Sequence, residues 1–336
     1  MTPIEKLWYR RAPGWQWLVW FLAPLTALFW LVSALRRLGY RLGWLKASHP
    51  GVPVIVVGNI SVGGNGKTPL VIRLAQWLRQ HGYRPGVLSR GYGGKAADYP
   101  LDVTTDSSPQ QVGDEPVLMR HHIGCPLVVD PKRARGANVL VTKHGCDVIL
   151  CDDGLQHYGL KRDIEIVVVD GERRFGNGWL LPMGPLRESR QRLQTVDYIV
   201  ANGGQSHSGE HLMLLEAGQL VNVKHPNQSQ SLSGLKKSVI AAAAIGYPQR
   251  FFDMLKSRGV ALKQTLPFPD HHRFTVDDLP KETLLMTEKD AVKCRDIAHH
   301  DWWYLPVTAK LSDTFKQQLL SRLETVRKNL RKSNGI

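Results

Sequence analysis

A glycine-rich run, Gly58-Asn59-Ile60-Ser61-Val62-Gly63-Gly64-Asn65-Gly66-Lys67-Thr68-Pro69, constrains this chain more than any other stretch. It follows an apolar, β-branched segment, Val54-Ile55-Val56-Val57, and opens onto helix-like sequence from Leu70 to Leu78. Strand, glycine loop, Gly-Lys-Thr and helix is the layout that holds a nucleoside triphosphate. Backbone N–H groups and the helix N-terminus face the phosphates, the lysine neutralises charge and the threonine hydroxyl reaches Mg²⁺. Gly63, Gly64, Asn65, Gly66, Lys67, Thr68 and Pro69 are therefore the predicted nucleotide-binding residues. The strict pattern has glycine where Ser61 stands, yet the three remaining loop glycines keep close backbone approach open.

From Val52 onward, strand-like and helix-like stretches alternate, as in an α/β sheet. Strands are predicted over 53–57, 86–89, 126–129, 147–151, 165–169 and 197–201, with helices over 68–81, 114–122 and 132–143. A Ser/Gln/His/Gly-rich stretch from Gly203 to Ser233 marks a boundary or hinge. A second α/β unit follows, with apolar Val239–Ile245, a helix over Arg250–Arg258 and strand-like Thr283–Met286. Leu311, Phe315, Leu319, Leu323, Val326 and Leu330 recur at helical spacing and predict an amphipathic C-terminal helix. The expected architecture is a P-loop-type parallel sheet core with a second, smaller α/β domain and an N-terminal apolar membrane helix. Its divisions are 1–50, 51–204, 205–310 and 311–336.

A formal charge of +15 first suggests nucleic acid, but its placement argues otherwise. Residues 1–50 hold seven Lys/Arg against Glu5 alone, and residues 311–336 hold six against Asp313 and Glu324. Six of the ten tryptophans also lie in the first fifty residues. Trp15 through Leu35 is apolar apart from Gln16, Thr26 and Ser33, and is flanked by Lys6, Arg10 and Arg11 on one side and Arg36, Arg37, Arg41 and Lys46 on the other. Length, aromatic residues and basic flanks together predict membrane attachment. Pro24 permits a kink, so spanning and embedding both stay open. Absence of a small-residue cleavage motif argues against a removed leader. Cys125, Cys146, Cys151 and Cys294 lack Cys-x-x-Cys spacing and read as buried reduced thiols.

The apolar run Val148-Ile149-Leu150-Cys151 ends in Asp152-Asp153-Gly154. The strand beside a phosphate loop supplies such an acid to the Mg²⁺ shell. Both carboxylates reach one ion only if the chain turns there, as Gly154 permits. Ser89-Arg90-Gly91-Tyr92-Gly93-Gly94-Lys95 combines mobile glycines with Arg90 and Lys95, suited to anionic or sugar groups. Guanine recognition would require Asn/Thr-Lys-x-Asp; the nearest run, Thr287-Glu288-Lys289-Asp290, carries its lysine one place late, which argues against a GTPase.

In these motifs the chain resembles the tetraacyldisaccharide 4′-kinases, the lipid A 4′-kinases of Gram-negative bacteria. The resemblance runs over nearly the whole sequence: the phosphate loop, Ser89–Lys95, Val112-Gly113-Asp114-Glu115-Pro116, Asp152–His157, Leu181–Glu188, Asp270-His271-His272 and Thr287–Lys293. That family shares the Ser61 exception and usually carries Thr where Asn65 stands. The resemblance implies an inner-membrane enzyme that uses MgATP to phosphorylate the 4′-hydroxyl of a tetraacylated glucosamine disaccharide 1-phosphate. Neither nucleic acid nor an obligate protein partner is expected. It further implies two α/β domains with the active site at their cleft. Asp114 and His271 match the family's proposed base pair, with His272 an adjacent alternative. A sugar hydroxyl needs a positioned carboxylate to take its proton, and an imidazole can orient that carboxylate. By the same resemblance Lys67 and Arg133 act on the transferring phosphate. Thr68, Asp152 and Asp153 serve the metal, with Glu115 either behind them or simply an acid favoured at a helix N-terminus, while Gln156, His157, Arg187 and Glu188 join Arg90 and Lys95 at the substrate.

Overall fold

The computed structural model describes residues 3–9, 16–235 and 238–333. Its strands are β1 (Val54–Gly58), β2 (Pro85–Ser89), β3 (Leu101–Asp102), β4 (Leu127–Val129), β5 (Val148–Asp152), β6 (Ile164–Asp170), β7 (Tyr198–Asn202) and β8 (Glu210–Ala217). There follow β9 (Leu220–Asn222), β10 (Ser229–Gln230), β11 (Val239–Ala243), β12 (Leu262–Pro267), β13 (Leu284–Thr287), β14 (Trp302–Leu305) and β15 (Val307–Lys310). The α-helices are α1 (Pro3–Tyr9), α2 (Ala23–Arg41), α3 (Lys67–Gln80), α4 (Pro109–Val112), α5 (Asp114–Ile123), α6 (Arg133–Thr142), α7 (Pro248–Ser257), α8 (Glu288–Cys294) and α9 (Asp313–Ser333).

Nine strands form the larger sheet in the order β15-β8-β7-β6-β1-β5-β2-β4-β3. Pairing is parallel except at its two edges, where β3 and β15 run antiparallel to their neighbours. The central strands are buried along their whole length, which is why their sequences are continuous Val/Ile/Leu runs rather than alternating ones. On one face α3, α5 and α9 bury Leu70, Leu74, Ile123, Phe315, Leu319 and Leu323. On the other, α6 contributes Ala137 and Leu140 beside Leu155, Leu160 and Leu186. The smaller sheet runs β10-β9-β14-β13-β11-β12. Phe251, Phe252 and Leu255 of α7 cover one of its faces, and Ala291 and Cys294 of α8 pack in the cluster on the other. All four cysteines are free and buried.

The stretch expected as an irregular hinge, 203–233, instead contains β8, β9 and β10. In β8, Met213 is buried between the exposed Leu212 and Leu214, a strand alternation hidden in the sequence by polar flanks. Sheet membership therefore places 210–217 and 307–310 with the larger sheet, so the chain passes between sheets at Gly218 and Pro306. These two crossings lie side by side, with Gly218 N donating to Pro306 O at 2.9 Å.

The apolar N-terminal region is not one continuous helix. A 3₁₀ segment, Gln16–Leu22, gives way to α2, and Pro24 sits in the first turn of α2, where its missing N–H costs no helical hydrogen bond. Trp15, Arg10 and Arg11 lie outside the described residues. Val19–Arg41 is long and apolar enough to cross a membrane. It nonetheless rests along the larger sheet's domain: Thr26 Oγ1 accepts from Met183 N at 3.1 Å, Arg37 is 3.6 Å from Glu188, and the Tyr40 and Tyr158 rings lie 6.1 Å apart. The outward side leaves Trp20, Phe21, Leu28, Trp30 and Val32 exposed.

Candidate active site

The phosphate loop leaves the C-terminal end of β1 and enters α3 at Lys67. Gly66 holds φ 86°, and a Cβ there would fall 2.2 Å from Asn202 Nδ2, so only glycine fits. Asn202 Nδ2 instead donates to Asn65 O at 3.0 Å, and Asn65 Nδ2 donates to Ser61 Oγ at 2.9 Å. Ser61 and Asn65, the two departures noted in the sequence, thus brace each other across the loop. The Leu181–Glu188 motif runs alongside: Val62 N donates to Pro185 O at 2.8 Å and Arg187 N to Ile60 O at 2.7 Å. Lys67 Nζ lies 3.2 Å from Asn59 Oδ1 and 3.5 Å from Asp153 Oδ1.

The β1–β5 register sets Val57 beside Asp152, bringing the acidic pair to the loop. The turn expected at Gly154 occurs one residue earlier. Asp153 itself takes φ 46°, a left-handed conformation that releases it from strand alternation. Asp153 is held by Arg187 Nη1 at 3.2 Å and by Lys67, and these two cations drive its pKa far down against the opposing effect of burial. Asp152 has the reverse fate. Burial first, then the charges of Glu115 and Asp153, push it up to about 7. Its Oδ2 accepts from Ser89 Oγ at 3.3 Å, while its Oδ1 is buried without a partner. An orphaned carboxylate oxygen with a second carboxylate next to it in the chain is an oxygen donor set that suits Mg²⁺.

Asp114 begins α5 after Gly113, which holds φ 91°. His271, from the loop after β12, places Nδ1 2.9 Å from Asp114 Oδ2 and has itself a positive φ of 60°. Lys289 of α8 reaches between them, 2.9 Å from Glu115 Oε1, 3.2 Å from Asp270 Oδ1 and 3.8 Å from Asp114 Oδ2. Burial opposes the Asp114 charge, but the His271 hydrogen bond and Lys289 outweigh it and hold its pKa below the ordinary range. Burial likewise opposes the His271 charge, and the Asp114 hydrogen bond overcomes it and raises the imidazole. His272 turns elsewhere: it stacks on Phe268 at 4.8 Å and pairs with Asp278 at 3.3 Å.

A cleft of about 380 Å³ is lined by the acidic strand end, by Glu115 and by the N-terminal helix. Asp152, Asp153 and Glu115 line it together with Phe29, Arg36 and Arg37 of α2. Arg90, Gln156, His157, Arg187 and Glu188 also face it. Burial, then Arg133, Arg90 and Arg36, pull the His157 imidazole down to about 4, so it is neutral at physiological pH. Glu188 is buried and tied to Tyr158 Oη at 2.9 Å, Arg192 Nε at 3.3 Å and Arg37 at 3.6 Å, linking α2 to the core.

Two expectations need correction. Arg133 does not reach out as a phosphate clamp: it is 2% exposed, and its terminal nitrogens donate to the backbone oxygens of Asp130 and Asp152 at 3.0 and 3.1 Å. It is a strut under the acidic strand end. Lys95 lies exposed, outside the residues that line the cleft. Sequence reasoning missed Asn59, Ser89 and Lys289. Lys289 stood within a quoted motif but was weighed only against guanine recognition.

A family model described as Tetraacyldisaccharide-1-P 4′-kinase matches residues 18–324. Among curated relatives, the tetraacyldisaccharide 4′-kinase of Pseudoalteromonas atlantica is 60% identical, over 90% of this chain and 100% of its own. That of Tolumonas auensis is 52% identical over 96% of this chain and 98% of its own. In three dimensions, the crystal structure of LpxK from Aquifex aeolicus in complex with ATP matches with a TM-score of 0.74. Its sequence identity is 29%, over 91% of this chain and 99% of that one.

Proposed function

The chain belongs to the tetraacyldisaccharide-1-P 4′-kinase family, and from that premise we propose how its residues carry the reaction. The enzyme transfers the γ-phosphate of ATP to the 4′-hydroxyl of a tetraacylated glucosamine disaccharide 1-phosphate. One observation carries the assignment of roles: Glu115 lines the same cleft as Asp152 and Asp153, while its neighbour Asp114 holds His271. The phosphate-side and acceptor-side groups thus converge on one space.

On the phosphate side, the loop N–H groups and Lys67 hold the β- and γ-phosphates, and Arg133 fixes the strand end that carries Asp152. Thr68, Asp152 and Asp153 would hold Mg²⁺, which when bound screens phosphate charge against the developing transition state. On the acceptor side, Asp114 accepts the hydroxyl proton as the oxygen attacks phosphorus. His271 orients the carboxylate, and Lys289 keeps it ionised. Arg90, Gln156, His157, Arg187 and Glu188 surround the sugar and its route from α2.

We place the enzyme at the cytoplasmic face of the inner membrane, where ATP is available. Contacts at Thr26, Arg37 and Tyr40 keep α2 flat on the core along roughly 20 Å of helix. A helix so held embeds its outer side in one leaflet rather than crossing. No nucleic acid or obligate protein partner is assigned.

The test is transfer itself, with the full chain, MgATP and the disaccharide lipid in detergent, the product being analysed by mass and by phosphorus NMR. A monophosphate added at the 4′ position supports the reading. ATP hydrolysis without transfer, or preference for GTP, overturns it.

A further inference from the structure

Arg173 follows the C-terminal end of β6, the strand next to β1 in the larger sheet, where open α/β sheets bind their ligands. Its side chain is only 7% exposed. Asp170 fixes it: Asp170 Oδ2 accepts from Arg173 Nε at 2.8 Å, and Asp170 Oδ1 accepts the Arg173 backbone N–H at 3.0 Å. Tyr9 and Tyr247 sandwich the guanidinium, with ring centroids 4.8 and 4.4 Å away. Nη1 donates to Gly246 O at 3.4 Å.

One nitrogen is left over. Arg173 Nη2 is buried and has no hydrogen-bond partner, and it lies 3.6 Å from where a Cβ on Gly63 of the phosphate loop would stand. A buried, charged donor without an acceptor is costly, so its position asks for an anionic ligand. The aromatic sandwich and the Gly246 bond account for a latch between the two sheets' domains. A latch has no use for a free donor aimed at the phosphate loop.

We propose that Arg173 is a nucleotide-phosphate ligand, presenting Nη2 to a phosphate oxygen held over Gly63. This rests on the reading of 58–69 as an ATP-phosphate loop. Asp170 pre-orients the guanidinium, so the contact forms without rotamer ordering.

The experiment is equilibrium binding of ATP, ADP and AMP to the full chain in detergent with Mg²⁺, for wild type, Arg173→Met, Arg173→Lys, Tyr247→Ala and Lys67→Ala. Arg173→Met should weaken ATP on the order of tenfold to a hundredfold and AMP much less, so that preference for the longer phosphate chain collapses. Arg173→Lys should recover part of it, keeping charge without the fork. Tyr247→Ala, which loosens the latch but leaves the guanidinium, should retain the preference. The proposal is overturned if Arg173→Met stays within about twofold of wild type for ATP. It is equally overturned if ATP and AMP weaken alike, or if Tyr247→Ala reproduces the loss. Should Arg173→Met fail to fold, the contrast between Arg173→Lys and Tyr247→Ala decides by the same criterion. Failure of the loop reading looks different: wild type would not bind ATP, or Lys67→Ala would bind it unchanged.

Discussion

His271 Nδ1 lies 2.9 Å from Asp114 Oδ2, although 157 residues separate them and each belongs to a different sheet's domain. The contact exists only when the two domains are apposed at this point. Its titration is therefore a readout of that arrangement.

The pair should make stability depend on pH in a defined window. His271 is raised above 6.5, so its contribution is complete below that value and is lost as pH rises through the raised one. Asp114 is lowered beneath 3.8, so its contribution is present above that value and is lost as pH falls through the lowered one. The difference in thermal stability between wild type and His271→Ala should be greatest between these limits and narrow towards alkaline pH. A difference independent of pH would show that the imidazole carries no charge in the pair.

Lys67→Ala should leave the fold intact and remove most turnover. Lys67 Nζ contacts only Asn59 and Asp153 among the described residues, at the mouth of the loop, so little packing is lost. Removing such an electrostatic stabiliser costs on the order of a hundredfold or more in kcat. A folded variant with near-normal kcat would remove the phosphate loop from the mechanism.

Lys289→Met should do two things at once. It leaves Asp114, Glu115 and Asp270 without the ammonium they share, with His271 as the remaining partner of Asp114, and breaking a buried ion pair costs about 3 kcal/mol at the low end. It also lifts the Asp114 pKa, so the acidic limb of the kcat/KM profile should move to higher pH. Lys289→Arg should largely restore both. Lost stability with an unmoved pH profile would reduce Lys289 to a structural tie.

Deleting residues 1–35 removes the exposed Trp20, Phe21 and Trp30 but also Phe29 and Ser33, which line the cleft. Membrane binding should fall, and kcat/KM for a short-chain, soluble acceptor should fall as well. Undiminished activity on the soluble acceptor would make the segment an anchor alone.

Much of this was legible in the sequence because it is local. The β1–loop–α3 unit needs a buried strand, glycines and Gly-Lys-Thr in order, and its elements begin within a residue or so of the predicted places. The buried face of α9 follows from Phe315, Leu319, Leu323 and Val326 at helical spacing. What was hidden depends on distant partners. Strands β9, β10 and β14 are two to four residues long, too short to show a period. Arg133 read as a free cation because nothing in its neighbourhood reveals that the Asp130 and Asp152 carbonyls take its hydrogen bonds. His271 and His272 are alike in sequence, and only Phe268, Phe274 and Asp278 around His272 separate them.

The most direct test is a double-mutant cycle on Asp114 and His271, read as single-turnover transfer to the disaccharide lipid. Asp114→Asn removes the proton acceptor and should lower the rate by roughly 10²–10⁴-fold with little change in KM. His271→Ala should lower it too. If the two act as one base, the double variant loses much less than the product of the single losses. Losses that multiply would contradict the pair, and would return the proton acceptor to a group outside it.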